Sequence, residues 1–261
     1  MTKIVVLVKQ VPDTYSERKL AEGDHTLDRE SADAVLDEIN ERAVEEALKI
    51  KEAGEGEVTV VSVGPDRVTD AIRKALSMGA DKAIHVSDEA IKGSDLIATA
   101  KVLAAAIGKV ESYDLVITGN EASDGRGGAV PAVVAELLGL PQLTHLREVT
   151  VEGGTIKGVR ETEDGRATLE ANLPALISVT EKINEPRYPS FKGIMAAKKK
   201  PVETLTIADL GIDAGEVGLA NASSTVIEAA PKPPREAGQR VEDDGDGGVK
   251  IVEYLVGQKL V

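Results

Sequence analysis

The 261-residue chain has no cysteine, no tryptophan and a single phenylalanine, so aromatics make up only 2% of it. Without cysteine there can be no disulfide, no thiolate nucleophile and no zinc–thiolate site. Histidine is scarce too: His25, His85 and His145 are scattered, and no metal site is expected. No run approaches the roughly 18 apolar residues of a membrane span, so direct membrane insertion is not expected. Positive charge is in deficit, with 31 Lys and Arg against 45 Asp and Glu and a net charge of −14. Nucleic acid would have to overcome that repulsion and is not expected as a partner. A salt-rich source would also favour such acidity, because carboxylates hold water when salt screens charge.

What is present is an ordinary globular balance, 42% hydrophobic and 29% charged. With so few aromatics the core must be built of Val, Ile, Leu and Ala, as parallel sheets are. The opening MTKIVVLVKQVPD has only Lys3 before its apolar run and no small-residue cleavage site after it. It reads as a first strand of a cytoplasmic protein, with Ile4 to Val8 covered on both faces.

From Ala34 to Ala53 the period becomes helical, with Val35, Ile39, Ala43, Ala47 and Ile50 on one face and Gly54 ending the run. Strand and helix then alternate. Val58 to Val63 predicts a strand, Arg67 to Met78 a helix, Lys82 to Val86 a strand and Asp95 to Ile107 an Ala-rich helix. Asp114 to Thr118 predicts another strand and Gly128 to Leu138 another helix. Four such rounds imply a mainly parallel sheet with right-handed crossovers. After Pro141 short extended segments at 148–151, 155–160, 167–172 and 175–180, joined by Gly-Gly and Asp-Gly turns, add antiparallel strands. Ile194 to Lys200 suggests a short helix. From Pro201 onward Gly, Pro and acidic residues dominate, yet the chain ends on Val249, Ile251, Val252, Leu255, Val256 and Leu260, too apolar to be left in water. An arm without its own core suggests a partner chain.

The stretch most suggestive of chemistry runs from Asp114 to Val130, DLVITGNEASDGRGGAV, where a strand enters a Gly-rich loop and the loop enters a helix. Glycines at 119, 125, 127 and 128 let backbone N–H groups approach a phosphate, the helix N-terminus adds partial positive charge, and Arg126 can add a full one. The spacing matches neither a Walker loop nor a strict dinucleotide fingerprint, and a flexible turn is the plain alternative. Two further strand ends, Leu7 to Lys9 and Ser62 to Gly64, should converge on the same carboxyl edge, where open α/β sheets place ligands. No catalytic residue stands out. There is no GxSxG elbow and no His close to a Ser or carboxylate in a recognisable arrangement; His85 reads as structural, and Glu161 to Asp164 as a solvated turn. Lys198, Lys199 and Lys200 either complement a helix C-terminus or meet an acidic partner.

Five ordered blocks resemble the beta subunit of electron-transfer flavoproteins over essentially the whole chain: VLVKQVPDT; ERAVEEALKIKE; VVSVGP with AIRKALSMGADKAIHV; GVRETEDGRATLEANLPALISV; and NEPRYPSFKGIMAAKKK followed by DLGID. The resemblance implies a Rossmann-like α/β fold of the adenine nucleotide alpha hydrolase type, with added antiparallel strands and an extended C-terminal arm. Three regions follow from it: a nucleotide-binding domain at 1–183, a partner-docking loop and helix at 184–200, and an arm at 201–261 packing on the alpha subunit. AMP would be bound by Leu7, Lys9, Asp37, Asn40, Val63 and the loop Gly119, Asn120, Glu121, Ala122, Ser123, Asp124, Gly125, Arg126, Gly127, Gly128, Ala129 and Val130. Redox-active FAD would sit mainly on the alpha subunit, approached by Asp13 and Thr14. Tyr188, Phe191, Ile194 and Met195 would dock flavin dehydrogenases, with Phe191 where a Leu is common.

By the same resemblance the heterodimer would accept electrons from acyl-CoA or related dehydrogenases, as in fatty acid oxidation, and pass them to a quinone oxidoreductase. This chain would have no active site of its own. The alternatives are a subunit of an electron-bifurcating, NADH-dependent flavoprotein with a second FAD in place of AMP, an ATP-using enzyme of the same sheet type, and a stand-alone adenine-nucleotide-binding module. The departures from the family pattern fall on the nucleotide site: Glu121 replaces a usual Gln, Arg126 a usual Asp, and Ala129-Val130-Pro131 a Gln-Val/Thr-Gly run, while Asp37 to Asn40 stand where Asn-Pro-aromatic-Asp is common. Ala167 replaces an acidic or amide residue in the hairpin block.

Overall fold

The computed structural model of the protein describes residues 1–235, 238 and 240–261. The chain separates into two compact units, Met1–Val226 and Ile227–Val261.

The first unit opens with β1 (Thr2–Leu7), whose side chains alternate between two cores: Ile4 and Val6 face one, Val5 and Leu7 the other. A strand buried on both faces must be apolar throughout, hence the unbroken IVVL. Next come β2 (Gln10–Pro12), β3 (Ala34–Leu36) and α1 (Glu38–Ala53). The single helix expected over 34–53 is therefore divided. Val35 and Leu36 pair with Val11 and Gln10 in a small antiparallel ribbon, and Asp37 starts the helix by accepting from the N–H groups of Ile39 and Asn40. That carboxylate satisfies two of the donors every helix leaves open at its N-terminus.

The alternation continues through β4 (Gly56–Val63), α2 (Thr69–Met78), β5 (Lys82–Val86), α3 (Leu96–Ile107), β6 (Leu115–Gly119) and α4 (Val130–Leu138). Each boundary lies within a few residues of the expected one, because Asp95 and the glycines at 79 and 139 act as stops and caps. Strands β7 (Gln142–Glu152), β8 (Thr155–Thr162) and β9 (Gly165–Asn172) form the antiparallel meander read from the turns, and then β10 (Ala175–Val179) departs from it. β10 lies parallel to both β6 and β7, inserted between them, so the sheet runs β11–β5–β4–β1–β6–β10–β7–β8–β9, with β11 (Val202–Leu205) at one edge. All five residues of β10 are buried, and a fully covered strand belongs in the parallel middle.

Three other expectations are corrected. The short helix lies at Phe191–Ala197 (α5), started by Ser190 rather than reaching Lys200. The stretch after Pro201 is not all arm: β11 joins the sheet, and Ile207, Leu210, Ile212 and Val217 pack on the core beside α3. Glu161 is not merely solvated. It accepts from Arg147, Arg166 and Lys182 across the meander, and hydrogen bonds from Lys182 and Arg147 hold its carboxyl down at about 2. In the second unit, α6 (Gly247–Gly257) has Asp243 accepting from Gly245 and Gly247 N–H groups at 2.8 Å, and its Val249, Ile251 and Val252 are exposed. Positions 236, 237 and 239 of the expected arm lie outside the described residues. No helix among the described residues is long and apolar enough to cross a membrane.

Ile177 sits fully buried at the centre of β10, in the core beneath α1. Ile177→Ala should cost about 2–5 kcal/mol, read as a lowered urea midpoint with little change in slope.

Candidate functional site

Helices change sides of the sheet between β1 and β6: α1 and α2 cover one face, α3 and α4 the other. Diverging loops at such a point leave a crevice beyond the carboxyl ends of the strands. Here it is a cleft of about 170 Å³ lined by Leu7, Val8 and Lys9 from β1 and its exit, Asn40 from α1 and Val63 from β4. Thr118 and Gly119 end β6 in it, the loop from Asn120 to Gly128 forms a wall, and Val130 and Pro131 enter from α4. Of the residues expected at the site, all but Asp37, Ser123 and Ala129 line this cleft. Thr99 and Leu103 of α3 line it as well and were not expected. They face it only because α3 packs beside α4, which no local pattern reveals.

The loop departs from β6 at Gly119, where a Cβ would come within 2.5 Å of Asn40 Nδ2 and 3.2 Å of the Glu121 carbonyl. Only glycine lets the strand end and α1 come this close. Asn120 donates its N–H to Val179 O at 2.9 Å, while its side-chain Oδ1 is buried without a hydrogen-bond partner among the described residues. A buried acceptor left unpaired costs about 1–3 kcal/mol, so a donor from a bound molecule would gain there. Further along, Arg126 and Gly128 both adopt positive φ, 49° and 63°, turning the chain toward α4. Arg126 is exposed and makes no salt bridge among the described residues.

Two carboxylates hold the loop. Asp37 is fully buried; beyond capping α1, its second oxygen accepts from Ser123 N–H at 2.8 Å. It is the support behind the site rather than part of its lining. Asp124, its side chain 1% exposed, takes Lys9 Nζ at 2.8 Å and Arg29 at 2.8 Å. Burial alone would raise its pKa, but the two cations beside it outweigh that cost and hold the carboxyl below its usual range. Lys9 is thus already paired with a carboxylate, and Arg126 is the cleft's cation without one. Neither a histidine nor a hydroxyl–base pair lines the cleft, since the Thr118 hydroxyl donates to the Gly119 carbonyl at 2.5 Å.

Away from the cleft, Asp13 and Thr14 begin the long connection between β2 and β3, with Asp13 accepting from Tyr15 N–H at 2.9 Å. Neither lines the cleft. Tyr188, Phe191, Ile194 and Met195 form a second exposed group, with Tyr188 97% and Phe191 81% exposed. Their backbone is firmly mounted. Arg187 makes ion pairs with Glu45 at 2.8 Å and Glu52 at 2.5 Å, and Arg73 donates to the carbonyls of Ala197 and Lys200. Lys200 donates to the carbonyls of Leu76 and Ala80, so it complements the C-terminus of α2 rather than of its own helix. His85, as expected of a structural histidine, is buried against the Gly64 carbonyl at 2.9 Å.

The electron transfer flavoprotein domain matches residues 24–210. An electron transfer flavoprotein subunit beta of Mycobacterium tuberculosis is 65% identical over 266 residues, covering 100% of both chains. One from Megasphaera elsdenii is 36% identical over 270 residues, covering 99% of this chain and 100% of its own. A subunit of the caffeyl-CoA reductase-Etf complex of Acetobacterium woodii is 37% identical over 237 residues, 90% of each chain.

Because Asp124 has its pKa depressed in the folded protein, the stability it contributes is present above the ordinary carboxylate pKa of about 4 and lost as pH falls through the lower folded value. Asp124→Asn should therefore destabilise by about 2 kcal/mol at pH 7, and the gap to wild type should close as the pH is lowered beyond 4. Denaturant melts of both proteins from pH 7 to about pH 2.5 check this.

Proposed function

This chain belongs to the electron transfer flavoprotein family as a subunit of the beta type, and on that premise we propose that its cleft binds AMP while an alpha subunit carries the FAD. Its part in electron transfer is then to bind the nucleotide, to complete the heterodimer and to present a docking surface to flavin dehydrogenases. A quinone oxidoreductase takes the electrons onward.

The observation that carries the nucleotide reading is the buried, unpaired Oδ1 of Asn120 in a cleft walled by a Gly-rich loop with one unpaired arginine. An adenosine group supplies N–H and O–H donors for the first, and a phosphate supplies the charge for Arg126 and the loop's backbone N–H groups. Leu7, Val63 and Leu103 provide apolar wall for a base. When bound by the alpha subunit, FAD supplies the redox chemistry; this chain's residues orient and shield.

The exposed Tyr188, Phe191, Ile194 and Met195 support the docking part. An apolar cluster fixed at its base by Arg187 and Arg73 loses little freedom on binding, and such anchors dominate interfaces. Asp13 and Thr14, at the start of the connection between β2 and β3, are the residues proposed to approach the flavin.

Co-expression with the alpha subunit, denaturation of the purified complex and chromatography of the released nucleotides test this. One FAD and one AMP per heterodimer are expected; two FAD would replace the AMP reading with bifurcation, and no flavin-bearing complex would refute the subunit role. In the same complex Phe191→Ala should slow electron acceptance from the dehydrogenase by about tenfold while leaving both nucleotides bound.

A further inference from the structure

The connection between β2 and β3, residues 13–33, contains no fully buried residue. Its base is closed by the β2–β3 pairing and by Asp13 N–H donating to Asp33 O at 2.8 Å, and its tip folds on itself through Leu20 and Leu27. A segment of this length with nothing apolar to anchor it opens easily unless polar contacts hold it. Those contacts converge on one place. Arg18 donates to the carbonyl of Ser123 at 2.7 Å, and Arg29 to the carboxylate of Asp124 at 2.8 Å. Among the described residues the remaining side-chain tie to the body is Glu30 with Arg67 at 3.3 Å, a pair whose carboxylate is 81% exposed, so it adds little.

Ser123 and Asp124 are therefore gripped from two sides. From the sheet edge, Asp37 accepts the Ser123 N–H and Lys9 pairs with Asp124; from outside, Arg18 donates to the Ser123 carbonyl and Arg29 to Oδ2 of Asp124. Without the outer two contacts Ser123 and Asp124 keep one backbone tie and one ion pair. We propose that Arg18 and Arg29 are positioning residues for the nucleotide loop, and that the 13–33 segment is a strap whose two arginines must let go before nucleotide leaves the cleft. This rests on the cleft being the nucleotide site. It adds a consequence: affinity is set partly by residues that touch no nucleotide, and the effect falls on the rate of release.

The test uses the co-expressed heterodimer loaded with a fluorescent AMP analogue and chased with unlabelled AMP, alongside amide hydrogen exchange of the same protein. Arg29→Gln should speed release by about tenfold or more, as expected for losing a charge-assisted hydrogen bond, and Arg29→Lys should recover most of it. Arg18→Gln with Arg29→Gln should raise exchange in peptides from 119–129 and 13–33 and leave the β1, β4 and β6 peptides unchanged. Release and exchange identical to wild type in the double variant would overturn the proposal. Should the wild-type complex bind no AMP, the nucleotide reading fails on that ground alone, and exchange at 119–129 decides whether the strap positions the loop.

Discussion

Asp37 and Asp124 are the two buried carboxylates on which the shape of the cleft depends. Each joins a segment near the carboxyl edge of the sheet to the Gly-rich loop: Asp37 through the N-terminus of α1, Asp124 through Lys9 at the exit of β1. A buried carboxylate is costly unless every lone pair finds a donor. Asp37 offsets the cost with three backbone N–H groups and Asp124 with two cations, so that each of their oxygens has a donor. The cost of misplacing either holds the loop open as a wall against the pull of collapse. Glycine at 119 then allows the strand end to approach Asn40, and the cleft follows from these few contacts.

Much of this architecture could be read from the sequence because the local signals agree with the global fold. The unbroken apolar strands, the glycines after the helices and the Gly-rich exit of β6 each carry one unambiguous instruction. What escaped was non-local. The parallel insertion of β10 between β6 and β7 depends on which strands leave an edge free, and a segment followed by turn signals looks the same in either direction. Val35 and Leu36 fit a helical period as well as a strand, and only pairing with β2 decides. At the site, Asp37 was identifiable as a residue of interest, but its place behind the loop was not, since a capping carboxylate and a ligand contact share one sequence position. The salt bridges of Asp124 to Lys9 and Arg29 join positions roughly a hundred residues apart, beyond any motif.

The same physics links the two ends of the proposed function. Buried charges fix the loop that walls the cleft, while the aromatic and aliphatic side chains beyond Arg187 are exposed on a fixed base. Binding of a small nucleotide needs an enclosed, preorganised cavity; meeting a protein partner needs accessible apolar surface at low entropic cost. In the proposed function these tasks fall on different parts of α1, whose N-cap Asp37 holds the loop and whose Glu45 and Glu52 hold Arg187.

The central claim is that the cleft between β1 and β6 holds the adenine nucleotide. Photoaffinity labelling of the co-expressed heterodimer with an azido-substituted AMP, followed by peptide mapping, addresses it directly. Labelling confined to peptides carrying Leu7 to Lys9, Asn40, Thr99 to Leu103 or Gly119 to Pro131, and suppressed by unlabelled AMP, is the predicted result. Competable labelling elsewhere on this chain or on the alpha subunit, with these peptides unmodified, would contradict it.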